Sequence, residues 1–165
     1  MTSRRRPGWR IVTIASAVVV GVSASRNWMV SPDGWAVSAL GVLTPVVDGV
    51  APNSLVVTPG FWLLLGSCCV VLLALRPARG GAALRIIRLV AVVGAMQVCA
   101  TAYVMVRPAV VLPVDATVAA ADGALSVWPW AALVGSCLVS GAAMMAPVDS
   151  APADEADGLH QPIEV

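Results

Sequence analysis

Four apolar runs, separated by short polar breaks, set the pattern of this chain. The second opens at Thr58-Pro59-Gly60 and continues through Phe61, Trp62 and Leu63 to Leu75, and the third runs from Leu89 to Val106, with Arg76, Arg79, Arg85 and Arg88 between them. A hydrocarbon core of ~30 Å takes ~20 helical residues to cross. The pair therefore reads as a transmembrane helical hairpin with a basic cytoplasmic turn. Pro59 suits the first helical position, where its missing N–H would be unpaired in any case, and Thr58 is the expected N-cap.

The first run, Ile11 to Ser25, follows the basic start Arg4-Arg5-Arg6 and Arg10. Trp9 and Trp28 bracket it as interfacial aromatics do, and Arg26 is placed to snorkel to the outer headgroups, so a helix over 9–30 is expected. The same features fit a secretory leader, cleaved after the small residues Val22-Ser23-Ala24. A retained helix is the favoured expectation, and a mature N-terminus at Ser25 is the alternative.

Ser31-Pro32-Asp33-Gly34 breaks the pattern, and the stretch Trp35 to Val50, interrupted by Gly41, Pro45 and Gly49, is too broken to span. A short interfacial helix over Trp35 to Leu43 is expected there. The third helix closes at Arg107-Pro108, and a second outer loop leads to Trp128-Pro129-Trp130, which opens the fourth helix. Pro147 stops that helix. The tail beyond, with Asp149, Asp154, Glu155, Asp157 and Glu164, is expected to be disordered.

The expected fold is thus all-α and polytopic: a basic cytoplasmic N-terminus (1–8), a transmembrane domain (9–147) and an acidic cytoplasmic tail (148–165). The transmembrane helices are placed at 9–30, 58–76, 82–106 and 128–146 in an up-down bundle, with outer loops at 31–57 and 107–127. Gly66-Ser67-Cys68 and Gly135-Ser136-Cys137 sit at matching places in the second and fourth helices, which fits two tandem helical hairpins and equally fits chance in an Ala/Val/Gly-rich chain. Small residues at Gly66, Ser67, Gly94, Ala95, Gly135, Ser136, Ser140 and Gly141 are what close helix packing in lipid requires.

Composition agrees with that pattern. Hydrophobic residues make up 59% and charged residues 12% of the 165, against about a quarter charged in soluble domains. A net charge of +1 argues against nucleic acid as a partner. The ten basic residues are all arginine, which points to a GC-rich bacterial genome. Eight of the ten (4, 5, 6, 10, 76, 79, 85 and 88) fall on the side read as cytoplasmic, leaving Arg26 and Arg107 outside. The location expected is the cytoplasmic membrane, with both termini in the cytoplasm.

Candidate chemistry is sparse. No Asp, Glu or His falls within a span, which argues against an intramembrane proton relay, and the lone His160 in the tail argues against paired-histidine haem ligation. Cys68, Cys69, Cys99 and Cys137 project to mid-membrane without the Cys-x-x-Cys spacing of a thiol oxidoreductase, so they are read as small packing residues, with a metal or redox role as the lesser alternative. No catalytic, cofactor or metal residue is assigned. Three candidate contacts remain: Gln97 for helix packing or a ligand, Arg26 and Arg107 for an outer anion or lipid headgroup, and Trp28, Trp35, Trp62, Trp128 and Trp130 for an outer aromatic groove.

Trp28 after the first helix, Thr58-Pro59, the arginine-rich turn (Arg79, Arg85, Arg88) and Trp128-Pro129-Trp130 together resemble the actinobacterial tryptophan-associated transmembrane proteins. That family is named for the proximity of its genes to those of tryptophan biosynthesis, and the resemblance carries over no catalytic residue. The function expected is non-enzymatic: an accessory or assembly partner of a membrane complex, embedded in lipid and joined to another membrane protein or to further copies of itself. The alternative is a small transporter or channel component for a neutral or amphipathic solute.

Overall fold

The structure, a computed structural model, describes residues 8–32, 34–44, 58–77, 81–108 and 123–146. Among them are four helices, α1 (Gly8–Ala24), α2 (Pro59–Leu75), α3 (Gly81–Val106) and α4 (Trp128–Met144). Each packs on its neighbour in chain order, and α4 closes back on α1 across the most extensive face of the bundle. Helices α1 and α3 stand diagonally, as do α2 and α4.

Two hydrophobic clusters fix the helix directions. Val20 and Ala24 near the end of α1 join Leu63 near the start of α2, Val104 near the end of α3 and Ala132 near the start of α4. Towards the opposite end, Ala17, Val70, Ile87, Val90, Val139 and Ala143 form the second cluster. Successive helices therefore alternate in direction.

Buried positions recur in steps of three and four: Gly60, Leu63, Ser67, Val70 and Ala74 in α2, and Ile87, Val90, Gly94, Gln97, Thr101 and Val104 in α3. That spacing puts each set on one helix face. The buried set is rich in small and polar residues, whereas Leu72, Leu75, Leu89, Val92, Met96, Val106, Val134 and Leu138 face outward. This is the reverse of the polar outer face of a water-exposed helix. Among the described residues, α3 is long and apolar enough to cross a membrane, and the other three are apolar helices of 17 residues each.

The expected all-α character needs correction, because one end of the bundle carries a small antiparallel sheet in the order β3-β2-β1-β4. Its strands are β1 (Asn27–Val30), β2 (Ala36–Ser38), β3 (Leu43–Thr44) and β4 (Ala124–Leu125). The helix expected over 9–30 stops at Ala24, where Ser25 N and Arg26 N turn back to the carbonyls of Val22 and Ser23. Trp28 Nε1 donates to the same Ser23 carbonyl at 2.7 Å, occupying one of the acceptors that a helix end leaves open.

The interfacial helix expected over Trp35 to Leu43 is likewise absent. Gly34 (φ 88°) and Gly41 (φ 74°) take left-handed conformations that favour glycine and turn the chain between β1 and β2 and between β2 and β3. Ladder partners outweigh local preference here, since Val30 pairs with Ala36 on one side and with Ala124, from the second outer loop, on the other.

Met29, Val37 and Ala39 bury their side chains in the same cluster as the helix ends, so the sheet caps the bundle. It is also tied to α2, where Gly60 N donates to Ala39 O at 3.0 Å and an added Cβ would come within 2.5 Å of the Ala39 carbonyl carbon. Arg26 and Arg107 belong to this sheet end, and Arg10, Arg76, Arg85 and Arg88 to the other. Arg4, Arg5, Arg6 and Arg79, most of both outer loops and the acidic tail lie outside the described residues.

Candidate functional site

Among adjacent helix pairs, α2 and α3 touch least. Between them lies a cavity of about 510 Å³ with an almost wholly apolar wall, built from Trp62, Gly66 and Cys69 of α2 and Met96, Gln97 and Tyr103 of α3, among others. It follows the sheet-side half of α2, from Pro59 to Cys69, and the facing half of α3, from Val93 to Tyr103.

Gln97 forms the polar part of this wall and is 3% exposed. Its Nε2 donates to Leu63 O at 3.0 Å and to Ser67 Oγ at 3.1 Å, while Ser67 Oγ donates to Leu63 O at 2.8 Å. The amide thus ties α3 to α2, and it also lines the cavity. Gly66 makes room for this bridge, since an added Cβ would lie 2.9 Å from Nε2. Gln97 Oε1 has no partner, and neither does Thr101 Oγ1 one turn on. Both are buried acceptors on the same stripe of α3.

The other expected contacts do not gather into one site. Trp28 is wholly buried and belongs to the core rather than to an outer groove. Trp35 packs partly buried against the same cluster. Trp62 reaches the α2–α3 cavity, and Trp130 is exposed on α4, diagonal to α2. The guanidinium of Arg26 stacks 5.4 Å from the Trp128 ring centroid, a cation–π contact joining the end of α1 to the start of α4. Arg107 is exposed at the end of α3, at a different corner of the bundle.

The cysteines expected to act as small packing residues do not pack inside the bundle: Cys68, Cys69, Cys99 and Cys137 are all free and exposed on its flanks. In each case the three-four spacing gives the inward place to a neighbour: Ser67 and Val70 around Cys68 and Cys69, Gln97 and Thr101 around Cys99, Ser136 before Cys137. The two Gly-Ser-Cys triplets also behave alike. Ser67 Oγ and Ser136 Oγ each donate to the carbonyl four residues back, at 2.8 Å in both cases.

Met96 and Tyr103 were not singled out from the sequence as site residues. The available signal was the placement of the single tyrosine one turn before Arg107, an interfacial combination. Among the described residues, no three His, Cys, Asp or Glu side chains come together. The polar side chains buried in the helices are neutral: Thr13, Ser16, Ser23, Ser67, Gln97, Thr101 and Ser136. Such an interior offers hydrogen bonds, but no proton donor or acceptor that titrates near neutrality. The chain matches no family model, and no curated protein or solved structure is significantly similar to it.

Proposed function

We propose that the chain is a multi-pass protein of the cytoplasmic membrane that acts without catalysis, as an accessory or assembly partner within a membrane complex. The observation that carries this reading is the polarity of the bundle. Its interior holds Ser, Thr, Gln, Gly and Ala alongside Val, Leu and Ile, while large apolar side chains such as Leu, Val, Ile and Met also cover the outside of all four helices, where a water-exposed bundle would be polar. Water would penalise that arrangement and lipid would not, because hydrocarbon solvates apolar side chains, while the hydroxyls of Ser23, Ser67 and Ser136 donate to backbone carbonyls of their own helices. A helix of 17 residues is ~26 Å long and lies at the lower limit for a span. The arginines support an orientation with the sheet outside, since four of the six described arginines stand at the opposite end.

Helix α1 contributes Ala17, Val20 and Ala24 to the interior. Cleavage before Ser25 would remove one wall of the bundle, so the retained helix is part of this proposal, and a mature N-terminus at Ser25 would overturn it. The likeness to the tryptophan-associated transmembrane proteins enters on the same footing, through its short motifs alone.

Purification of the tagged protein from its own membranes in mild detergent, with identification of everything that accompanies it, tests the accessory role. A stoichiometric membrane partner is the expected result. A homo-oligomer with no other protein would favour the second reading, a component that passes a neutral or amphipathic solute, because Gln97 and Trp62 meet in one cavity. Loss of solute flux in Gln97→Leu, with folding and assembly intact, would establish that second reading.

A further inference from the structure

The α2–α3 cavity is a slot rather than a chamber. Its lining spans eleven residues on each helix, Pro59 to Cys69 and Val93 to Tyr103, or ~15 Å along the axes. The amide in its wall is already engaged or covered: Gln97 Nε2 commits its two hydrogens to Leu63 O and Ser67 Oγ, and Oε1 is enclosed by protein. A hydrogen-bonding solute would find little to bind there. An apolar chain would meet Leu65, Val93, Met96 and Ala100 along its length.

At the sheet end the surroundings change in a definite order. Trp62 and Tyr103 stand at that end of the slot, and one turn beyond, Arg107 N donates to Tyr103 O at 2.9 Å with its guanidinium exposed. No carboxylate occurs among the described residues. Apolar slot, amphipathic aromatics and cation follow one another along the helix axis, in the same order as the chain, ester region and phosphate of an anionic lipid. We propose that the slot holds one hydrocarbon chain of an anionic phospholipid from the leaflet at the sheet end, with its phosphate on Arg107. This rests on the membrane reading above. It makes the groove a built lipid site rather than a solute path.

Native mass spectrometry of the detergent-purified protein, titrated with phosphatidylglycerol and with phosphatidylcholine, tests the assignment. One retained phosphatidylglycerol is expected, held in preference to phosphatidylcholine. Gly66→Leu and Met96→Trp, which fill the slot, should lower retention roughly tenfold or more. Arg107→Gln should erase the preference between the two lipids. Gly141→Leu, at an α4 glycine whose added Cβ would meet nothing within 4 Å, should leave retention unchanged. Met96 is 67% exposed, so its enlargement avoids the packed interior and keeps the test open should Gly66→Leu fail to fold.

Wild-type retention in both slot-filling variants, or a monodisperse protein without lipid, would overturn the proposal. So would a dimer that Met96→Trp dissolves, which would put a second copy in the slot. Release of the protein from membranes by alkaline carbonate, measured first, would instead overturn the membrane reading itself.

Discussion

Helix α3 meets its two neighbours in different ways, and a glycine is central to both. At the α3–α4 seam an added Cβ on Gly94 would lie 2.5 Å from Ser140 Oγ and 3.0 Å from Ser140 N, so the two backbones are in near contact. At the α2–α3 seam an added Cβ on Gly66 would meet side chains rather than backbone: the far end of Gln97, at 2.9 Å from Nε2 and 3.4 Å from Cδ, and Val93 Cγ1 at 3.4 Å. One glycine closes a seam and the other makes space for a side chain. Where lipid surrounds the helices no hydrophobic force draws them together, so dispersion between close backbones and hydrogen bonds between helices must do so. The α3–α4 seam relies on the first, and the α2–α3 seam on the second. A hydrogen-bonded seam need not close along its whole length, which is why the cavity opens beside Gln97.

Gly94→Leu should break this comparison most severely. Its side chain has nowhere to go unless α3 and α4 part, and overpacking of this kind costs ~3 kcal/mol or more. The loss should appear as an unfolding midpoint shifted far down in a detergent titration, or as a protein that no longer purifies as a single species. Gly94→Ala should lose less, and adding Ser140→Gly should restore part of that loss, because Ser140 Oγ is the atom in the way and has no hydrogen-bond partner to give up. A double-mutant cycle without coupling would show that the seam is not closed by this pair.

The α2–α3 seam should respond about a third as strongly. Gly66→Ala displaces the Gln97 amide and weakens its bonds to Leu63 O and Ser67 Oγ, at a cost of ~1 kcal/mol or less. Gln97→Leu loses the same bonds but also removes an unpaired buried acceptor, so the two effects nearly offset and the net change should stay within ~1 kcal/mol. A collapse of the fold in Gln97→Leu, on the scale of Gly94→Leu, would make the amide a keystone and the comparison wrong.

The asymmetry between these seams could not be read from the sequence, although much around it could. The apolar runs and their proline and arginine boundaries located the four helices, because those signals are local: Pro59 stands at the first turn of α2, Pro129 at that of α4, and Arg76-Pro77 follows the end of α2. Gln97 was recognisable as the polar residue of an apolar span. Which glycine faced a backbone and which a side chain depended on helix neighbours, and so did the outward place of the cysteines. The sheet was missed for the same reason. Residues 27–30 form a strand because 36–38 and 124–125 lie beside them, and nothing within four residues of Trp28 records a partner almost a hundred positions away.

Gly141 supplies the smallest and most discriminating comparison. It is a third glycine in the bundle, yet an added Cβ there would meet nothing within 4 Å, so it serves neither of the two seams. It lies in the last turn of α4, close to the outward-facing Cys137, Leu138 and Met144. In isolation, Gly141→Leu should change stability by no more than ~1 kcal/mol, with a small gain from the better helix former. The same variant carried through native purification reads the other half of its role. A stoichiometric partner that stays bound leaves this part of α4 outside the contact. A partner lost from a protein of unchanged stability would place the partner's helix against Gly141, since loss of a contact without loss of the fold requires that the contact lie outside the bundle.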